Sequence, residues 1–240
     1  MNDRSSAVAS PAWTATLAGA SVVIPAYDEE HGIALTVRAV QDTFRQAGFG
    51  SYEVIVVDDG STDGTARKAA RAGARVVAHP HNVGYGRSLK DGIAAARYDA
   101  IVITDADGTY PVERIPDLLQ QYVRGFDMVV GQRTGDHYRE SAIKAPLRRI
   151  LKFLVEFTAG RTVPDINSGL RVFSSKTAQP YFKHLCDTFS FTTSLTLAYM
   201  MTGKFVTYTP IEYHARIGTT KVRLFRESLR TLRSEEHTSE

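Results

Sequence analysis

Cysteine is nearly absent from this chain. Cys186 stands alone, which excludes an internal disulfide framework and fits a reducing compartment. In its apolar surroundings it reads as a small packing residue. Long apolar runs are missing too. A spanning helix needs about 18 to 20 such residues in a row, and the nearest approach, Phe189–Met201, is shorter and broken by Ser and Thr. Met1–Ala20 lacks the apolar core of a secretory signal. There is no excess of one charge: 29 Lys and Arg against 26 Asp and Glu leave a formal +3, so a nucleic-acid partner is not expected. No Gly-Lys-Ser/Thr is present, so no P-loop is expected. Internal repeats and low-complexity segments are lacking as well. These absences point to a cytoplasmic protein, or one attached to a membrane surface without crossing it.

What is present is a globular composition, 43% hydrophobic in 240 residues, enough for one large α/β domain or two small ones. Residues 1–20 are small and polar and read as a flexible leader. Ser21–Pro25 and Val54–Val57 are short β-branched runs that suit buried strands. Arg75–Ala78, Ala100–Thr104 and Asp127–Gly131 continue the pattern. Between them, helical spacing covers Glu29–Ala47, with Ile33, Val37, Val40 and Phe44 on one face, then Thr62–Ala72 and Gly84–Ala96. Ser61 or Asp63 is available to cap the second of these. Continuous apolar strands alternating with helices predict a mostly parallel sheet with helices on both faces. Past Gly131 the rhythm breaks. A basic segment, a mixed region, a β-rich stretch over Lys204–Tyr213 and a helical end from Val222 follow.

Ligands of such sheets sit at the carboxyl ends of the strands, and two acidic clusters fall there. Asp105 and Asp107, separated by one small residue, make a hard-oxygen pair suited to Mg²⁺ or Mn²⁺. The alternative is a turn or helix cap. Asp58 and Asp59 head a second cluster, Asp58–Gly64. Carboxylates in that position accept hydrogen bonds from a base or ribose, and they also serve as turn and cap residues. A third element, Asn82-Val83-Gly84-Tyr85-Gly86 followed by Lys90, either brings backbone N–H groups to an anion or simply starts a helix.

Taken in order, Val22–Glu29, Val57–Thr65, Asn82-x-Gly84 and Asp105–Asp107 resemble glycosyltransferase family 2 over about Ser21–Lys221. The resemblance implies a GT-A fold, a Rossmann-like sheet sandwiched by helices, and a domain over 21–221 followed by a basic helix and tail over 222–240. Gly131–Arg133, Asp165–Arg171 and His214–Lys221 resemble the subgroup that transfers sugars to dolichyl or polyprenyl phosphate. It implies a nucleotide pocket lined by Pro25, Tyr27, Glu29 and Asp58, with Asp59, Asn82, Lys90 and Ala106 as further candidates. It implies metal and diphosphate at Asp105 and Asp107, and phosphate held by Arg133 and Arg216. The subgroup commonly carries a metal-holding glutamine two residues after the second aspartate. Here Thr109 stands in that place, so Thr109 or water is the candidate substitute.

Charge distribution adds a separate argument. Arg133, Arg139, Lys144, Arg148, Arg149 and Lys152 cluster beside Leu147, Ile150, Leu151, Leu154 and Phe157 at helical spacing. Arg223, Arg226, Arg230 and Arg233 form a stripe beside Val222, Phe225, Leu229 and Leu232. Basic amphipathic helices lie on anionic membranes, or else pack on a core with a solvated basic face. With the resemblance, the expected reaction is inverting transfer of a hexose from a GDP- or UDP-sugar to polyprenyl phosphate, at the inner membrane face. Arg148, Arg149, Arg216 and Lys221 are its acceptor-phosphate candidates, and a separate membrane-anchor subunit is a candidate partner. Asp107, Arg133 and Asp165 are the catalytic candidates, with Asp165 as base if the acceptor is a hydroxyl, or else as the residue orienting Arg171 or a neighbouring loop. Two alternatives stand beside this: transfer to a saccharide hydroxyl, and non-catalytic binding of a nucleotide sugar or lipid phosphate.

Overall fold

The computed structural model describes residues 13–135, 156–157, 160 and 162–217. Seven strands form one sheet: β1 (Ala20–Ala26), β2 (Tyr52–Asp58), β3 (Arg75–Ala78), β4 (Ala100–Ile103), β5 (Met128–Thr134), β6 (Arg171–Ser174) and β7 (Val206–Glu212), in the order β3-β2-β1-β4-β6-β5-β7. All pairings are parallel except those of β6, which runs antiparallel to both β4 and β5. The expectation of a mostly parallel sheet is met, with one reversed strand.

The strand runs are continuously apolar because each feeds two cores at once. Val22, Ile24, Val54, Val56 and Val102 enter the core on one face, while Val23, Ile55, Val57, Ile101 and Ile103 enter the other. Alternation along a strand sends successive side chains to opposite faces, so a strand covered on both sides has no polar positions to spare. On the first face lie α2 (Ile33–Gln46), α3 (Thr65–Arg71) and α5 (Ile115–Tyr122), and the stripe Ile33, Val37, Val40, Phe44 is fully buried there. On the second face lie α4 (Tyr85–Ala94), the short α6 (Ser175–Ala178) and α7 (Phe191–Met201). Each of these fully buried aliphatic side chains contributes roughly 1.5–3 kcal/mol of transfer free energy.

Several element bounds differ from the sequence reading. The α2 helix starts at Ile33 rather than Glu29 because Asp28 adopts φ 50°, and Glu29–Gly32 make a separate turn. Asp63 accepts the Thr65 amide at 2.9 Å at the head of α3, while Ser61 Oγ accepts the Asp28 amide at 2.8 Å and so stitches two loops together. Packed structure also begins inside the stretch read as a leader. Trp13, in the short α1 (Trp13–Thr16), is buried against Phe49 with ring centroids 4.9 Å apart.

Strand order reverses between β1 and β4, whose carboxyl ends therefore open a crevice. Among the described residues no helix is long and apolar enough to cross a membrane. Arg148, Arg149, Lys221, most of the first basic segment and the whole C-terminal basic stripe lie outside the described residues.

Candidate active site

At that crevice lies a cavity of about 1040 Å³. Its lining includes Pro25, Tyr27, Glu29, Asp59, Asn82, Asp105, Ala106, Asp107, Arg133 and Arg216, so residues spread over almost the whole chain meet there. Asp58 does not line it. Asp58 closes β2 and Asp59 opens the loop after it; both are buried, and Asp59 is the one that lines the cavity.

The loop after β4 carries the acidic pair. Asp107 Oδ1 accepts the Thr109 amide at 3.0 Å and the Thr109 hydroxyl at 2.6 Å, which sets the orientation of the carboxylate. Thr109 is thus engaged with Asp107 as a hydrogen-bond donor. The Tyr85 hydroxyl donates to Asp105 Oδ1 at 3.2 Å. Burial, reinforced by the Asp107 charge, pushes the Asp105 carboxyl up to about 7. The two carboxylates line one cavity, Asp107 buried and Asp105 half-buried, and their oxygen-only chemistry fits a hard divalent cation. No cluster of three or more metal-ligating side chains occurs among the described residues. Asp105 and Asp107 would therefore share the cation with oxygens from a ligand and from water.

Two guanidinium groups face the pair. Arg133, on β5, is held by Asp165: Nε to Oδ2 at 2.8 Å, Nη2 to Oδ1 at 2.8 Å, and its backbone amide to Oδ2 at 3.1 Å. Its guanidinium also stands over the Tyr213 ring, 5.5 Å from the centroid. Burial pushes the Asp165 carboxyl up, but the Arg133 hydrogen bonds and charge outweigh that and hold it below the usual range. Asp165 is outside the cavity lining and carries no proton at neutral pH. It orients Arg133, where the sequence reading considered a base or a support for Arg171. Arg171 is instead fully buried, with its guanidinium on the Ser168 and Thr192 carbonyls and the Thr196 hydroxyl.

The second cation, Arg216, donates from Nη2 to Glu29 Oε1 at 2.9 Å and places Nε 3.2 Å from Asp107 Oδ2. Three phenols complete this region. Burial, with the Asp105 charge behind it, raises Tyr85 and Tyr110 well above the ordinary phenol range, and burial raises Tyr213. All three keep their protons at neutral pH and serve only as neutral hydroxyls.

The glycine segment at the head of α4 is bound to neighbouring chain, and Val83, Gly84 and Tyr85 also line the cavity. Asp59 accepts the Val83 amide at 2.9 Å and the Gly84 amide at 3.0 Å, and the Asp187 carbonyl accepts the Gly86 amide at 2.9 Å and the Arg87 amide at 3.2 Å. Four amides of this segment are thus taken by chain oxygens. A Cβ on Gly84 would lie 2.5 Å from the Asp187 carbonyl oxygen, and one on Gly86 2.6 Å from that of Cys186. Lys90 is tied down as well, with Nζ 2.5 Å from the Leu185 carbonyl and 2.6 Å from Asp187 Oδ1, and it does not line the cavity.

This docking brings Cys186, Asp187, Thr188 and Phe189 into the wall, none of which the sequence reading proposed as site residues. Phe189 stacks on Tyr85 at 5.3 Å and 17°. No spacing rule links positions 84–90 to 185–189, although the glycines themselves mark a close backbone approach. Tyr110, Asn167, Gly169 and Tyr213 were missed for the same reason. The Gly169 amide donates to Tyr110 Oη at 2.6 Å. A Cβ at Gly169 would stand 3.0 Å from Asp105 Oδ1, so this glycine lets the segment leading into β6 pass beside the carboxylate.

Comparison with known proteins gives the same picture. Residues 21–182 match the family Glycosyl transferase family 2. An undecaprenyl-phosphate 4-deoxy-4-formamido-L-arabinose transferase of Pseudomonas fluorescens (strain SBW25) is 32% identical over 159 residues, 64% of this chain and 46% of that protein. A low-salt glycan biosynthesis hexosyltransferase of Haloferax volcanii is 32% identical over 220 residues, 89% of this chain and 52% of that protein. The chain thus spans about half the length of these curated relatives. Among solved structures, glucosyl-3-phosphoglycerate synthase from Mycobacterium tuberculosis with Mg²⁺ and uridine diphosphate superposes with a TM-score of 0.73 at 23% identity, covering 93% of this chain and 80% of that one. The same enzyme with Mn²⁺, uridine diphosphate and phosphoglyceric acid gives 0.71 at 24%, over the same shares of both chains. On its sequence match and its sheet, the chain belongs to glycosyl transferase family 2 and has the GT-A fold.

Proposed function

We propose that this chain transfers a hexose from a nucleoside diphosphate sugar to polyprenyl phosphate with inversion, acting from the inner face of the membrane. The observation that carries this reading is the company of Asp105 and Asp107. Two guanidinium groups, Arg133 and Arg216, share their cavity, and the one carboxylate considered as a base, Asp165, is locked onto Arg133. A sugar hydroxyl must lose a proton as it attacks. A phosphate monoester is already an anion, and needs cations that hold it without protonating it. Arginine meets that need, because its fork matches phosphate oxygens and it keeps its charge.

In the proposed reaction a phosphate oxygen attacks the anomeric carbon while the bond from that carbon to the nucleoside diphosphate breaks. The electron pair leaves with the diphosphate and no proton has to move. Asp105 and Asp107 would hold Mg²⁺ or Mn²⁺, which when bound neutralises charge on the diphosphate oxygens. Arg133, fixed by Asp165, and Arg216 would position phosphate. Pro25, Tyr27, Glu29, Asp59 and Asn82 would form the nucleotide end, with Arg148, Arg149 and Lys221 as further acceptor ligands. The relative named for undecaprenyl phosphate supports the acceptor class. The basic amphipathic segments support a membrane surface.

The test is transfer from labelled GDP- and UDP-sugars to a short polyprenyl phosphate, with Mg²⁺, with Mn²⁺ and with chelator, beside Asp107→Ala. Transfer that needs both metal and Asp107 is expected. Donor hydrolysis without transfer would remove the lipid acceptor from the reading, and neither activity in a folded, nucleotide-binding protein would remove the catalytic one.

A further inference from the structure

Arg216 is bound to carboxylates, while the function proposed above needs it on phosphate. Its Nη2 donates to Glu29 at 2.9 Å, and its buried Nε faces Asp107 Oδ2 at 3.2 Å without the alignment of a hydrogen bond. The guanidinium thus bridges the turn after β1 and the loop after β4. The chain on either side of it is pinned to that same loop, His214 N to the Thr109 carbonyl at 2.8 Å and Ile217 N to the Asp107 carbonyl at 2.9 Å. A change of partner at Arg216 is therefore a rotation of its side chain, with the path of the backbone unchanged.

We propose that Arg216 is an internal counter-ion that competes with the divalent cation for Asp107 and, once displaced, becomes a phosphate ligand. The inference rests on the reading of Asp105 and Asp107 as the metal pair. Asp107 Oδ1 already accepts two hydrogen bonds from Thr109, so Oδ2 is the oxygen that both cations seek. A guanidinium and a divalent ion at one oxygen repel each other. The planar fork that suits a carboxylate suits a phosphate equally. Arg133 is no rival for this role, because Asp165 holds it along its Nε–Nη2 edge.

Two consequences follow from one exchange. Before nucleotide binds, Arg216 holds down the affinity for the bare cation. When a diphosphate offers Arg216 a new partner that penalty is relieved, so cation and diphosphate strengthen each other, and by linkage they do so by the same factor. The site is then filled by the metal–nucleotide complex in preference to metal alone.

The experiment is calorimetric titration of Mg²⁺ into the wild type, Arg216→Gln and Asp107→Asn, first alone and then with uridine or guanosine diphosphate present. The Arg216 side chain is 28% exposed, and glutamine keeps part of its length and its polarity while removing the charge. Expected is about fivefold tighter binding of the bare cation by Arg216→Gln, the size of a partly exposed charge pair. The same variant should bind the diphosphate more weakly in the presence of Mg²⁺, with the mutual strengthening reduced. A purely structural staple would weaken both. If Asp107→Asn loses the cation while Arg216→Gln binds it no tighter than the wild type, the counter-ion is refuted and the metal pair stands. If Asp107→Asn binds the bare cation as the wild type does, the metal pair falls and the counter-ion with it.

Discussion

Asp165 grips Arg133 along one edge of the guanidinium, each carboxylate oxygen 2.8 Å from a different nitrogen, and takes the Arg133 backbone amide as well. The carboxylate is almost wholly buried, so the pair presents the rest of the guanidinium to the cavity with little freedom of its own. Removing Asp165 leaves an uncompensated charge in a mostly buried place. Asp165→Ala is expected to lose about 3 kcal/mol of stability in urea unfolding, as breaking a buried pair does. The pH dependence has a definite sign. The carboxyl is held below its ordinary value, so its contribution is present above about pH 4 and lost as pH falls further. The wild type should show this acid loss and Asp165→Asn should lack it.

Asp105 runs the other way. Its carboxyl is pushed up to about 7, so the stability tied to its proton is full below about pH 4 and is lost as pH rises through 7. Thermal melting of the metal-free protein should show that loss, and Asp105→Asn should be flat over the same range. A cation held by Asp105 and Asp107 needs them ionised. Its stabilising shift in melting temperature should therefore be larger at pH 8 than at pH 5.5, and absent from Asp105→Asn.

Gly86 separates two readings of the segment at the head of α4. A methyl there meets the carbonyls of Cys186 and Thr188, so Gly86→Ala should destabilise the fold by about 1–3 kcal/mol, the usual range for overpacking. It should also raise KM for the donor, because the displaced 186–189 segment is part of the cavity wall. A glycine that merely let an anion approach would change donor affinity with the unfolding midpoint intact. Denaturation and kinetics on the same variant distinguish the two.

The parts of this site legible from the sequence are those carried by local chemistry. The runs Val22–Ile24 and Val54–Val57 announce strands, and Asp105 and Asp107 announce a strand-end acidic pair, because each signal lies within a few neighbouring residues. The β6 strand was not legible, since a four-residue run headed by Arg171 offers no alternation, and only the Ser168, Thr192 and Thr196 oxygens make that burial tolerable. Nor was α7, whose apolar and threonine residues are spread around the helix without a polar face. Asp58 and Asp59 look equivalent in sequence, and it is the fold that brings His79, Val83 and Gly84 to Asp59 and sets it in the cavity wall. Lys90 reads in sequence as a nucleotide-pocket candidate, and its contacts with Leu185 and Asp187, about 95 residues away, are not legible there.

The acceptor's nucleophilic oxygen is the centre of the proposal, and one comparison tests it most directly. With the same donor and Mg²⁺, transfer is measured to polyprenyl phosphate, to the matching polyprenol and to an oligosaccharide, and the anomeric configuration of the product is read by NMR. The expected result is an inverted, phosphate-linked sugar on polyprenyl phosphate and no product from either hydroxyl acceptor. Transfer to polyprenol or oligosaccharide at a comparable rate, with polyprenyl phosphate inert, would contradict it.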